Sequence, residues 1–145
     1  MKVQIKFMRS GAKLPARGSG SSAGYDLYAC LDAPVEIAPG EAAKIGTGIS
    51  AAVPEGWFGA VFARSGLASK QGLRPANCVG VCDSDYRGEY IVALYNDSSE
   101  TRVVNNGDRV AQLVFLPFAA AEFEITDELS ETLRGEGGFG STGVK

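Results

Sequence analysis

The chain contains no histidine. That absence excludes serine triads, cysteine–histidine nucleophiles and histidine proton shuttles, so any general base here is a carboxylate. Cysteine is scarce: Cys30, Cys78 and Cys82 cannot all pair, and without histidine they do not form the usual zinc-ligand spacing. They read as free thiols of a reducing compartment. Long apolar runs are missing too. Met1 to Arg9 alternates polar and apolar residues with no hydrophobic core of a leader, so neither a signal peptide nor a membrane span is expected and a cytoplasmic location is the default. Nor is there an excess of positive charge. Fourteen Lys and Arg against seventeen Asp and Glu leave a net charge of −3, which offers no general attraction for a nucleic-acid backbone. An anionic small molecule remains open wherever arginines gather locally.

What is present is a one-domain length of 145 residues, written mostly in short alternating apolar runs. Val3 to Phe7, Val35 to Ile37, Ala42 to Val53, Trp57 to Phe62, Tyr90 to Tyr95, Val103 to Val104 and Val110 to Phe118 read as strands. Turn signals separate them at Ala38-Pro39-Gly40, Pro54-Glu55-Gly56, Asn96 to Ser99 and Asn105 to Asp108, spaced as in sandwiches and jelly rolls. The predicted fold class is all-β. Ala33 to Ile49 reads as a hairpin turning at Pro39-Gly40 in type II geometry. One short helix is predicted over Ser65 to Lys70, opened by a serine cap and kept short by Gly66 and Gly72. Val110 to Phe118 is apolar on both faces, which predicts a strand that is central or covered by a partner chain. Its Gln112 is an outlier, either satisfied by neighbouring backbone or aimed at a ligand.

The C-terminal stretch Arg134 to Gly143, RGEGGFGSTG, concentrates anion-binding chemistry in a segment that cannot order itself. Its glycines let the backbone turn N–H groups toward an anion; Ser141 and Thr142 add hydroxyls and Arg134 a forked cation. It lacks the lysine, the preceding strand and the following helix of a P-loop. A plain flexible linker is the other reading. Phe139 favours the clamp, because a linker gains nothing from an aromatic, whereas a lid over a nucleobase gains about 1–3 kcal/mol of stacking.

Four further segments join glycines to charges. In Ala23 to Ala29, Asp26 sits within an apolar strand-like stretch and needs a partner. Ala63 to Ala68 ends a strand on Arg64 and starts the helical turn, so the Ser65 and Gly66 N–H groups can face an anion; a surface arginine beside a cap is the structural alternative. Asn77 to Gly88 (NCVGVCDSDYRG) looks like a hairpin whose open backbone could read the edge of a base. Gly107 to Leu113 supplies Gln112, with Asp108 and Arg109 suited to a turn and a salt bridge.

In this order the five segments closely resemble the five motifs of the homotrimeric dUTPases, over residues 23 to 143. The resemblance implies a β jelly roll over 1–133, an arm over 134–145 that closes on a neighbouring subunit's active site, and a trimer. It further implies hydrolysis of dUTP to dUMP and pyrophosphate, which keeps uracil out of DNA and supplies dUMP for dTMP synthesis. Asp83 would be the general base, activating water for attack on the α-phosphorus. Asn77 and Gly80 would hold the uracil, Tyr86 the deoxyribose, and Phe139 would cover the base. Arg64, Ser65, Gly66, Gln112, Arg134, Gly140, Ser141 and Thr142 would bind phosphates, with Asp26 ordering Arg64 or a metal-bound water. Mg²⁺ would arrive on the triphosphate, held by phosphates and waters with no direct protein ligand. Cys82, where the family usually has an aliphatic residue, suggests sensitivity to thiol reagents, and Tyr90 is bulkier and more polar than the pattern leads one to expect. A dCTP deaminase of the same superfamily, and a protein that binds dUTP to regulate a partner, are the competing readings.

Overall fold

The structure, a computed structural model, describes residues 1–138. It is built of twelve strands and one helix: β1 (Gln4–Phe7), β2 (Ala16–Arg17), β3 (Tyr25–Tyr28), β4 (Val35–Ile37), β5 (Ala42–Gly46), β6 (Ile49–Ala52), β7 (Trp57–Phe62), α1 (Ser65–Gln71), β8 (Leu73–Pro75), β9 (Val79–Cys82), β10 (Ile91–Asn96), β11 (Arg102–Val104) and β12 (Arg109–Pro117). The fold is all-β, as the strand and turn spacing predicts, and it is the jelly roll that the resemblance implies. A five-stranded sheet runs β2-β3-β12-β7-β9, a three-stranded one β5-β10-β8, and β1-β6 and β11-β4 pair as ribbons; all pairings are antiparallel.

One apolar cluster joins these layers. Leu27, Val61 and Leu113 from the five-stranded sheet pack with Ile45, Leu73, Val92 and Leu94 from the three-stranded one, together with Ile37, Ile49 and Val104. As its two-sided apolar sequence predicts, β12 is central, flanked by β3 and β7. The ends of the layers are tied by Asn96, a fully buried side chain whose amide meets four partners: its nitrogen donates to the Ile37 and Glu100 carbonyls, and its oxygen accepts from the Ser98 N–H and hydroxyl. The four bonds offset the cost of removing the amide from water.

Three local expectations are corrected. The Pro39-Gly40 turn forms, with the Glu41 N–H bonded to the Ala38 carbonyl and Gly40 at φ 76°. Its arms do not pair as a hairpin, because β4 is taken by β11 and β5 by β10. The run Ala42 to Val53 is two strands, broken at Gly48, whose φ of 69° redirects the chain so that β6 pairs with β1. The helix has Arg64, not a serine, at its N-cap and no side-chain cap. Gly72 ends it in the left-handed conformation, as its position predicts.

Candidate active site

Sequence segments far apart converge on two depressions. The first lies where a hairpin was expected. After Val79–Cys82 the chain runs without ladder pairing to β10, and β9 bonds only to β7 while β10 bonds to β5 and β8. The two arms are therefore splayed, leaving one edge of β9 unpaired beside a pocket of about 240 Å³ lined by Asn77, Gly80, Cys82, Asp83, Tyr86 and Tyr90. A strand edge of alternating N–H and C=O groups is suited to the flat edge of a base. The opposite wall, Tyr90 to Ala93, was not assigned to the site from sequence; strand periodicity gives no sign that its neighbour in the chain pairs elsewhere.

Local geometry holds each side chain in place. The Val79 N–H bonds back to the Asn77 carbonyl at 2.6 Å around Cys78, a non-glycine residue at φ 60°, a tight and strained turn. This turn sets the Asn77 amide over Gly80, where a Cβ would stand 3.5 Å from Nδ2. Asp83 is exposed at the pocket, its carbonyl accepting the Tyr86 N–H at 3.2 Å. The Tyr86 ring folds back over Gly88, where a Cβ would come within 2.9 Å of Cε2, and its hydroxyl donates to the Glu89 carbonyl at 3.0 Å.

Behind this wall Tyr90 is 2% exposed, and its hydroxyl has no hydrogen-bond partner among the described residues. The Cys82 thiol beside it does not meet hydrogen-bond geometry, so the phenol counts as unsatisfied. Burial, with Cys82 adjacent, pushes its pKa up. Tyr90→Phe should therefore stabilise the fold by about 1–3 kcal/mol, the cost of an unmet buried hydroxyl. Because the folded phenol titrates above its unfolded value of about 10, its neutral form helps fully below that pH and the help is lost as pH rises through and beyond it. Urea unfolding at neutral and alkaline pH should show a stability loss in the wild type that the variant lacks.

Burial also pushes the half-buried Cys82 thiol up, which keeps it protonated and slow to react, whereas Cys78 is exposed. Limited alkylation read by peptide mass should label Cys78 before Cys82.

The second depression, about 490 Å³, is lined by Gly24, Asp26, Arg64, Ser65, Gly66 and Gln112 among others. Asp26, on β3, has a side chain only 15% exposed and finds the partner its sequence context demands: Arg64 Nε donates to Oδ1 at 2.8 Å and Arg109 Nη1 to Oδ2 at 3.2 Å. Asp108 is left to the turn, accepting the Asn105 N–H. Gln112 donates to the Ala63 carbonyl at 2.8 Å, so one half of its amide is satisfied by backbone. Its other half presses on Gly24, where a Cβ would lie 3.2 Å from Cδ. Without a side-chain cap, the first N–H groups of α1 at Ser65 and Gly66 keep no partner within the helix.

The two depressions share no lining residue. Arg134 lines neither and instead donates to the Gly137 carbonyl at 2.7 Å. Phe139, Gly140, Ser141 and Thr142 lie outside the described residues. Among the described residues no group of three or more carboxylates and thiols converges on a point that could hold a metal. No helix among them is long and apolar enough to cross a membrane.

Residues 10–143 match the dUTPase family. The chain belongs to that family. It is 54% identical, over 99% of its length and 97% of the relative's, to a deoxyuridine 5'-triphosphate nucleotidohydrolase of Desulfitobacterium hafniense (strain DSM 10664 / DCB-2). Among solved structures it resembles the dUTPase of Staphylococcus bacteriophage 80alpha with dUPNHPP bound, at TM-score 0.87 and 30% identity over 99% of both chains. It also resembles a dUTPase from phage phi11 of S. aureus described with a structural Mg(II) ion, at TM-score 0.81 and 25% identity over 90% of this chain and all of that one. In this dUTPase the splayed β9 edge and the Asp26–Arg64–Gln112 cradle are separate depressions.

Proposed function

We infer that the protein hydrolyses dUTP to dUMP and pyrophosphate in the cytoplasm, as a homotrimer whose active sites are shared between subunits. The observation that carries the reading is the slot between β9 and β10, with Asp83 and Tyr86 on its lining. Asn77 and the free edge near Gly80 would match the acceptor–donor–acceptor edge of uracil; cytosine presents a donor where uracil accepts, and its misfit leaves buried groups unpaired. The Tyr86 ring would lie against the deoxyribose, where a ribose 2′-hydroxyl collides. Asp83 would take a proton from the water that attacks the α-phosphorus.

Arg64, Ser65, Gly66 and Gln112 would bind phosphates from the second depression, with Asp26 holding the Arg64 fork in place. That the two depressions share no lining residue agrees with a site completed by another subunit. Residues 134–145 would act as the arm that closes it, Arg134, Gly140, Ser141 and Thr142 on phosphates and Phe139 over the base. Mg²⁺ would arrive on the oxygens of the triphosphate, with waters completing its coordination. When bound, it neutralises phosphate charge.

Pyrophosphate release with Mg²⁺ and dUTP, run beside UTP, dCTP and dTTP, tests this directly. Turnover confined to dUTP supports it. Ammonia release from dCTP would shift the assignment to a deaminase, and folded protein without turnover would overturn the catalytic reading.

A further inference from the structure

The wall that carries Tyr86 has no ladder of its own between Cys82 and Ile91, so something outside it must hold it. Ser50 holds the Arg87 carbonyl and Thr47 and Ile49 hold the Tyr90 backbone, while Glu89, bonded to the Tyr86 hydroxyl, is held by its side chain. Its side chain is 14% exposed, and its two oxygens are divided: Oε1 accepts the Gly48 N–H at 2.8 Å and Oε2 pairs with Arg9 Nη2 at 3.0 Å. Both partners are distant in sequence, Gly48 by forty-one residues and Arg9 by eighty. The fit is close, because a Cβ on Gly46 would come 2.7 Å from Oε1. The main chain of the same residue is the acceptor for the Tyr86 hydroxyl at 3.0 Å. Glu89 is thus fixed by its carboxylate to the N-terminal segment and by its carbonyl to the tyrosine.

The geometry points to Arg9 and Glu89 as a positioning pair that holds the Tyr86 ring at the angle required to select deoxyribose over ribose. Neither residue has to touch substrate. Arg9 acts through Glu89, and Glu89 acts through its carbonyl on the ring. Sugar discrimination by a tyrosine face needs the ring fixed within tenths of an ångström, since a ring free to swing admits the extra hydroxyl. The inference rests on the assignment of Tyr86 to the sugar, and its test separates the two.

Kinetics with dUTP and UTP on the full chain, alongside Tm, should be measured for Arg9→Met, Arg9→Lys, Glu89→Gln and Tyr86→Ala, and for Glu89→Gln combined with Tyr86→Ala. Arg9→Met leaves Glu89 its Gly48 N–H and so keeps the fold. Expected are a fall of about 5-fold or more in the dUTP/UTP ratio of kcat/KM for Arg9→Met and Glu89→Gln, expressed mainly in KM, with partial recovery in Arg9→Lys. In the Tyr86→Ala background Glu89→Gln should change the ratio no further. An unchanged ratio in Arg9→Met and Glu89→Gln, with a ratio lowered by Tyr86→Ala, overturns the positioning pair and leaves Tyr86 its role. A ratio unmoved by Tyr86→Ala overturns the assignment of Tyr86 itself, and the pair with it.

Discussion

Replacing Asp83 with asparagine should lower kcat for dUTP hydrolysis by about 10²- to 10⁴-fold while leaving Tm and the KM for dUTP nearly unchanged, the loss expected when a general base goes but the binding surface stays. The side chain is exposed, and among the described residues its carboxylate accepts no hydrogen bond; the Tyr86 N–H bonds to its backbone carbonyl, a contact that survives the substitution. Asparagine also keeps the shape of the side chain. The chain has no histidine to take over proton transfer. Asp85, two residues along, is outside the pocket lining, so Asp85→Asn should change kcat far less. Single-turnover measurements of pyrophosphate formation check both. A large fall in Asp85→Asn with activity retained in Asp83→Asn would transfer the role.

The fold class was legible because strand alternation and turn chemistry are local, and so was the central place of β12, whose residues are apolar on both faces. Pairing was not. Val35 to Ile37 and Ala42 to Gly46 flank a good turn, yet each finds a better neighbour elsewhere, and only the assembled core decides between those partners. The same holds for the site. The family resemblance singled out Asn77, Asp83 and Tyr86, which line one pocket, but the residues from Tyr90 to Ala93 face them only because β9 and β10 go to different sheets. Asp26 was legible as a carboxylate in need of a partner; that Arg109 shares it with Arg64 depends on a register shift in β12 between Arg109 and Ala111. Glu89 carried no signal at all, since Arg9 and Gly48 are brought to it by the N-terminal ribbon.

Arg64→Ala should cost about 10²- to 10³-fold in kcat/KM for dUTP, the range for removing one preorganised donor from developing negative charge. The guanidinium is already half committed. Nε is spent on Asp26 at 2.8 Å and Nη1 leans on the Arg109 carbonyl at 3.4 Å, which fixes the plane of a fork that lines the depression shared with Ser65 and Gly66. Lysine cannot do both tasks, because one ammonium that pairs with Asp26 no longer spans to a phosphate. Arg64→Lys should therefore recover about 10-fold at most, leaving kcat/KM about 10- to 10²-fold below that of the wild type. Asp26→Asn keeps the cation but frees its plane, and Arg109 loses its anion as well. Its penalty should be smaller than that of Arg64→Ala and should not add to it, since both act on one contact. The double variant beside each single one, assayed as kcat/KM for dUTP, decides this: full additivity would mean that Asp26 serves the reaction by a route independent of Arg64.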